Sequence, residues 1–105
     1  METRAYNQVE VFDAAKLFAK TEGTIPAPEP AHAIKGVVDE ALRCKKTGEK
    51  KTILFLLCGH GHFDMQAFDD YLGGKLSPYE YPEKEVQKAV KKLKKLYPWL
   101  ETLPY

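Results

Sequence analysis

The sequence predicts an α/β fragment in which helices pack around one buried parallel strand. Three observations predict it. Residues 52–57, Thr-Ile-Leu-Phe-Leu-Leu, form a short unbroken apolar run, the pattern of a strand covered on both faces. A glycine turn, Cys58-Gly59-His60-Gly61, follows it directly. Apolar residues recur at helical spacing before and after this pair.

Taken in order, Asn7 is an N-cap candidate, and Val11, Phe12, Ala15, Phe18 and Ala19 then define a helix over about residues 8–20. Residues 21–28 hold Gly23, Pro26 and Pro28 and read as a loop. A second helix begins near Glu29 or Pro30, because proline suits a first turn. Its apolar stripe is Ile34, Val37, Val38, Ala41 and Leu42, and Gly48 ends it beside Lys45 and Lys46. After the strand and the glycine turn, Asp64 is placed to cap a third helix with Met65, Phe68, Tyr71 and Leu72 on its buried side and Gly73-Gly74 as its stop. Residues 77–82 form an irregular connection. From residue 83 to 97 the spacing of Val86, Ala89, Val90, Leu93, Leu96 and Tyr97 gives the clearest helix, followed by Pro98 and an apolar tail. Residues 1–105 thus read as a single domain or part of one, with a C-terminal helix and tail over 83–105.

Composition narrows the class. With 44% hydrophobic and 30% charged residues the chain resembles a folded globular protein and not a disordered one. A net charge of +1 exerts no general pull on nucleic acid or anionic membrane. No apolar run approaches the ~20 residues that cross a bilayer. The first residues lack a signal-peptide pattern, so the expected compartment is the cytoplasm, with Cys44 and Cys58 reduced.

Four helices and one strand pose a physical problem. A buried strand must pair its backbone groups, and each one left unpaired costs about 1–3 kcal/mol. Small domains are stable by only ~5–15 kcal/mol. The expected partners come from another chain, from the same strand in a second copy, or from the rest of an ancestral domain, and residues 52–57 are expected to lie in the interface.

In open α/β sheets ligands bind beyond the carboxyl ends of strands, and the turn from Cys58 to Asp64 lies at such an end. Gly59 and Gly61 permit close approach, and free N–H groups there suit an anion or a ring acceptor. The same spacing also fits a plain strand-to-helix turn. Cys58, His60, His62 and Asp64, with His32, offer metal-ligand chemistry, but one turn cannot aim four such side chains inward, and no metal site is expected. A Cys58–His60 nucleophile lacks a third, orienting group. Lys84, Lys88, Lys91, Lys92, Lys94 and Lys95 against Glu83 and Glu85 give the last helix a local excess of positive charge, which reads as a solvated helix face in preference to a surface for phosphates.

Two motifs at this separation carry more information. E-G-x-x-P-A-x-E over residues 22–29 and C-G-x-G over residues 58–61, with Phe18-Ala19-Lys20 before them and Tyr71-Leu72-Gly73-Gly74-Lys75-Leu76 after, resemble the C-terminal portion of the tryptophan synthase β chain, closest to its diverged second type. The resemblance implies part of a three-layer parallel-sheet cofactor domain of the fold-type-II pyridoxal-phosphate enzymes, which join a serine-derived aminoacrylate to indole in tryptophan biosynthesis. It places Glu29 beside the cofactor's pyridine ring, Cys58 where the family's serine meets the ring nitrogen, and Gly59 just after it. Glu22 and His32 fall on motif positions without an implied catalytic role. The thiol of Cys58 is a weaker donor than the family's hydroxyl but is likewise neutral. The family's Schiff-base lysine and phosphate-holding glycine loop lie in its N-terminal half, and these 105 residues contain no matching segment. The implied protein is a truncated or split β-chain homologue, not catalytic alone, binding no pyridoxal phosphate by itself, and completed by a second copy or a complementary N-terminal half. The alternative is a repurposed non-enzymatic module that binds a small anion or a protein and self-associates through its strand.

Overall fold

The computed structural model describes residues 3–99. Four helices run through it: α1 (Gln8–Glu22), α2 (Pro28–Thr47), α3 (Met65–Leu72) and α4 (Glu83–Leu96), with a 3-10 turn over Gly61–Phe63.

Local chemistry sets the helix ends. The Asn7 side chain accepts hydrogen bonds from the N–H groups of Val9 and Glu10, and the Glu10 carboxylate accepts from the Asn7 backbone in return, a full capping box. Gly23 and Gly48 stop α1 and α2 in the left-handed conformation, each at φ 72°, which a side chain would strain. Pro28 and Pro30 occupy the first turn of α2, where a missing N–H removes no helical bond. Asp64 stands at the N-cap position of α3, but its side chain makes no capping bond.

The core is small. Val11, Phe12 and Ala15 of α1 meet Ala31 of α2 and Phe68 of α3, with Tyr6, Ile25, Tyr71 and Leu76 packed around them. The Phe12 ring meets Phe68 edge-on at 5.0 Å and stacks on Tyr71 at 5.4 Å. Of the apolar stripe predicted on α2, Ile34 is buried, Val37 and Val38 are half-buried, and Leu42 is exposed. Phe68 is the one buried residue of α3; Met65 and Leu72 are exposed. No residue of α4 is buried. The radius of gyration is 17.2 Å, well above the about 13 Å of a compact domain of this length.

The predicted α/β class is corrected: no strand or sheet forms among the described residues. Residues 52–57 are extended without regular structure, and the one β-type contact is an isolated antiparallel bridge between Pro26 and His60. Nor is the segment buried: Leu54 is 95% and Leu56 74% exposed, and only Phe55 is half-buried, edge-on to Phe18 at 6.0 Å. The physical reason is that a strand exists by pairing. An apolar run states that a segment avoids water, not that a neighbouring strand stands beside it.

Candidate functional site

The two sequence motifs meet in space. The Ala27 N–H donates to the Gly59 carbonyl at 3.3 Å, and the Gly61 N–H donates to the Ile25 carbonyl at 2.8 Å, on either side of the Pro26–His60 bridge. The loop before α2 and the turn before α3 are therefore sewn together antiparallel. Glu29, two residues past Ala27, and Cys58, one residue before Gly59, fall on these adjoining stretches, and both are exposed. Glu29 lies in the first turn of α2, where the helix dipole favours a carboxylate.

Packing explains the glycines. A Cβ on Gly61 would stand 2.7 Å from the Pro26 carbonyl oxygen and 2.7 Å from Ile25 Cγ2; one on Gly59 would stand 3.1 Å from Ala27 Cβ. Both glycines admit the 25–27 loop, a role that spacing alone did not separate from approach to a ligand.

The histidines organise the turn itself. His60 Nδ1 accepts the His62 N–H at 3.3 Å, and the two rings lie 4.7 Å apart. His32 is held elsewhere, its Nδ1 3.0 Å from the Pro28 carbonyl. Among the described residues no three His, Cys, Asp or Glu side chains converge on a metal-sized point. Cys44 and Cys58 are both free thiols.

Two open concavities flank this region. One of about 340 Å³ sits between α1 and α3, lined by Ile25, Phe68, Tyr71 and Leu72 with Lys16 and Lys20 at its rim. One of about 490 Å³ is lined by Arg4, Tyr6, His32, Ala33, Gly36 and Glu40. Glu29, Cys58 and Gly59 line neither; they form an open wall.

Two polar clusters carried little sequence signal. At the C-terminal half of α2, Glu40 binds Arg43 at 2.8 Å and Lys51 at 3.0 Å, while Arg43 reaches Glu49 at 2.6 Å. Arg43, then Lys51, hold the Glu40 carboxyl down to about 2. The cluster ties the chain after α2 back onto the helix. The second joins α1 to α3: the Tyr71 hydroxyl donates to Asp13, and the Lys16 ammonium lies 5.2 Å from the Tyr71 ring centre. The neighbouring Tyr71 side chain is the main cause of an upward shift at Lys16. Only the 3-residue spacing of Glu40 and Arg43 was open to inspection beforehand.

No protein-family model matches the chain. Curated relatives do. The chain is 64% identical over 73 residues to tryptophan synthase beta chain 2 of Aquifex aeolicus, covering 70% of this chain and 17% of that one. It is 63% identical over 76 residues to the tryptophan synthase beta chain of Thermococcus gammatolerans and 62% identical over 76 residues to tryptophan synthase beta chain 2 of Methanosarcina acetivorans, in each case 72% of this chain and 17% of the relative. The chain thus spans about a sixth of the length of the curated relatives it matches. Over that stretch it is a homologue of the tryptophan synthase β chains, consistent with a fragment of a β-like protein.

Proposed function

We propose that this chain forms the ring-nitrogen wall of a pyridoxal-phosphate pocket in a truncated or split tryptophan synthase β chain, and is silent without the rest of the site. The observation that carries the reading is the seam between the two motifs. It sets Glu29 and Cys58 on adjoining, solvent-open stretches. The residues fit one side of the cofactor. Cys58 offers a neutral, weak donor to a ring acceptor, Glu29 a carboxylate alongside, and Gly59 holds the register through its bond with Ala27. When bound, pyridoxal phosphate supplies an electron sink for joining a serine-derived fragment to indole. This chain's part is to orient the ring and keep its nitrogen unprotonated. A covalent lysine and a phosphate cradle are left to a partner.

The wall is open and apolar surface borders it. Leu57 is 40% exposed and Phe63 93%, on either side of the turn. That exposure favours a protein partner over solvent, and a complementary N-terminal β-chain half is the partner whose fold would need this wall.

The test is reconstitution. Pyridoxal phosphate added to the chain alone gives no saturable internal-imine absorbance, and borohydride fixes no stoichiometric adduct on a single lysine. The chain mixed with an N-terminal half of a related β chain gains cofactor absorbance and forms tryptophan from serine and indole, and Glu29→Gln or Cys58→Ala lowers that activity. A stoichiometric adduct at one lysine of the isolated chain, or reconstituted activity indifferent to both substitutions, overturns the reading.

A further inference from the structure

We propose that α4 is a self-complementary dimerisation helix that packs antiparallel against α4 of a second copy. The proposal is independent of the cofactor reading. Val86, Ala89, Val90, Leu93 and Leu96 form one stripe of α4 at spacings of three and four residues, the seam pattern of paired helices. Among the described residues nothing buries the stripe: Val86 and Val90 are each 43% exposed, Leu93 46% and Leu96 61%.

The charges bordering the stripe name the occupant. Eleven residues make three helical turns, so Glu83 and Lys94 lie on one edge of the stripe. Seven residues make two turns, so Glu85 and Lys92 lie on the other. On both edges the acid is at the N-terminal end and the base at the C-terminal end. Antiparallel packing about a two-fold axis sets like edges side by side in reversed direction, so residue i meets j while j meets i. Glu83 then faces the second copy's Lys94, and Glu85 its Lys92, each twice. Both pairs are centred on the same point, between Lys88 and Ala89. The Val86–Leu93 part of the stripe is centred one residue further on, about 1.5 Å away along the axis, while Leu96 overhangs the end of the second copy's helix. One register therefore serves both edges and the Val86–Leu93 part of the stripe, and it sets the two helix dipoles antiparallel.

Other occupants fit less well. Parallel packing would set acid beside acid and base beside base. An anionic bilayer or nucleic acid would meet Glu83 and Glu85 at the edges of the contact. Lys84, Lys88, Lys91 and Lys95 lie on the opposite side of the helix and stay solvated. Glu85 already contacts Lys88 at 2.8 Å, but an exposed pair of that kind is weak and does not hold it from a better partner.

The experiment is sedimentation equilibrium of the full chain over a concentration series, with helicity followed by circular dichroism. The wild type is expected to dimerise. Glu83→Lys with Glu85→Lys, and separately Lys92→Glu with Lys94→Glu, each weaken dimerisation about tenfold or more, since attraction becomes repulsion at every edge contact. Combining all four substitutions restores it, which loss of folding cannot explain and parallel packing does not predict. A monomeric wild type, a dimer untouched by either pair of substitutions, or a four-fold variant that fails to recover overturns the proposal. So does a wild-type chain that stays monomeric while binding anionic vesicles.

Discussion

Gly61 presses its backbone against the carbonyl of Pro26 so closely that a single methyl group would stand 2.7 Å from that oxygen. The obstacle is backbone and is held by the Gly61–Ile25 hydrogen bond, so it cannot swing aside as a side-chain tip would. Gly61→Ala is expected to destabilise the chain by about 1–3 kcal/mol, the usual cost of forced overpacking. Gly59→Ala, facing the Ala27 methyl at 3.1 Å, should cost less. Gly36 is the control. It sits inside α2 with the Tyr6 hydroxyl oxygen at an ordinary 3.9 Å, so Gly36→Ala should stabilise by up to about 1 kcal/mol through helix propensity. Urea unfolding of the three variants checks the order; equal effects would mean that the seam is not tightly packed.

Phe12 is 6% exposed and touches both aromatic residues that α3 brings to the core. Phe12→Ala is expected to cost about 3–5 kcal/mol, a large share of the ~5–15 kcal/mol that holds a small domain together. The expected result is loss of cooperative thermal unfolding. Phe12→Leu, which keeps much of the apolar volume, should retain a transition at lower temperature. A Phe12→Ala variant that melts like the wild type would show that α3 is not anchored through this ring.

What the sequence made legible was decided locally. Asn7 and Gly48 each write a helix end where it was expected, whereas α1 runs on to Glu22, past the expected 20, and stops at Gly23, which read only as part of a loop. The apolar faces were legible as faces but not as contacts: Leu72 and Leu42 carry the right spacing and remain exposed, because burial depends on what stands opposite. Residues 52–57 failed for the same reason. Their composition disfavours contact with water, yet the described residues leave Leu54 and Leu56 exposed. Cys58, Gly59 and Glu29 could be found as motif positions, and the seam that joins them is a tertiary fact with a partial sign in Gly61. The Glu40 cluster was not legible, since Lys51 and Glu49 reach it only after the chain turns at Gly48.

That cluster predicts a pH dependence. The Glu40 carboxyl titrates at about 2 in the folded chain against an ordinary 4.5, and Glu49 is also lowered, in both cases chiefly by Arg43. A lowered folded value means that the charged form is stabilised by folding. The contribution is therefore fully present above the ordinary carboxylate range and is lost as pH falls from there through about 2. Acid titration should release residues 49–51 from α2, visible as lower backbone NMR order parameters in that stretch. Glu40→Gln with Glu49→Gln should show that mobility already at neutral pH and little further change on acidification. Wild-type order parameters that stay flat between pH 5 and pH 2 would sink the claim.

The exposed run after α2 supports the sharpest separation of fold from partnership. Leu54 is 95% and Leu56 74% exposed, so in the isolated chain neither side chain contributes to the core. Leu54→Lys with Leu56→Lys should change stability by no more than about 0.5 kcal/mol, as surface substitutions do. The same pair should abolish assembly with a complementary β-chain half, because a buried lysine at such a contact lacks a counter-charge and its desolvation outweighs the lost apolar contact. Dimerisation through α4 should be untouched, since residues 54 and 56 lie outside the stripe and both of its charged edges. Thermal melting, co-purification with an N-terminal half and sedimentation of the same variant test the three statements together. A variant that unfolds would place residues 52–57 in the chain's own core. A variant that still assembles would remove this segment from the interface, and one that loses the α4 dimer would move the self-association to residues 52–57.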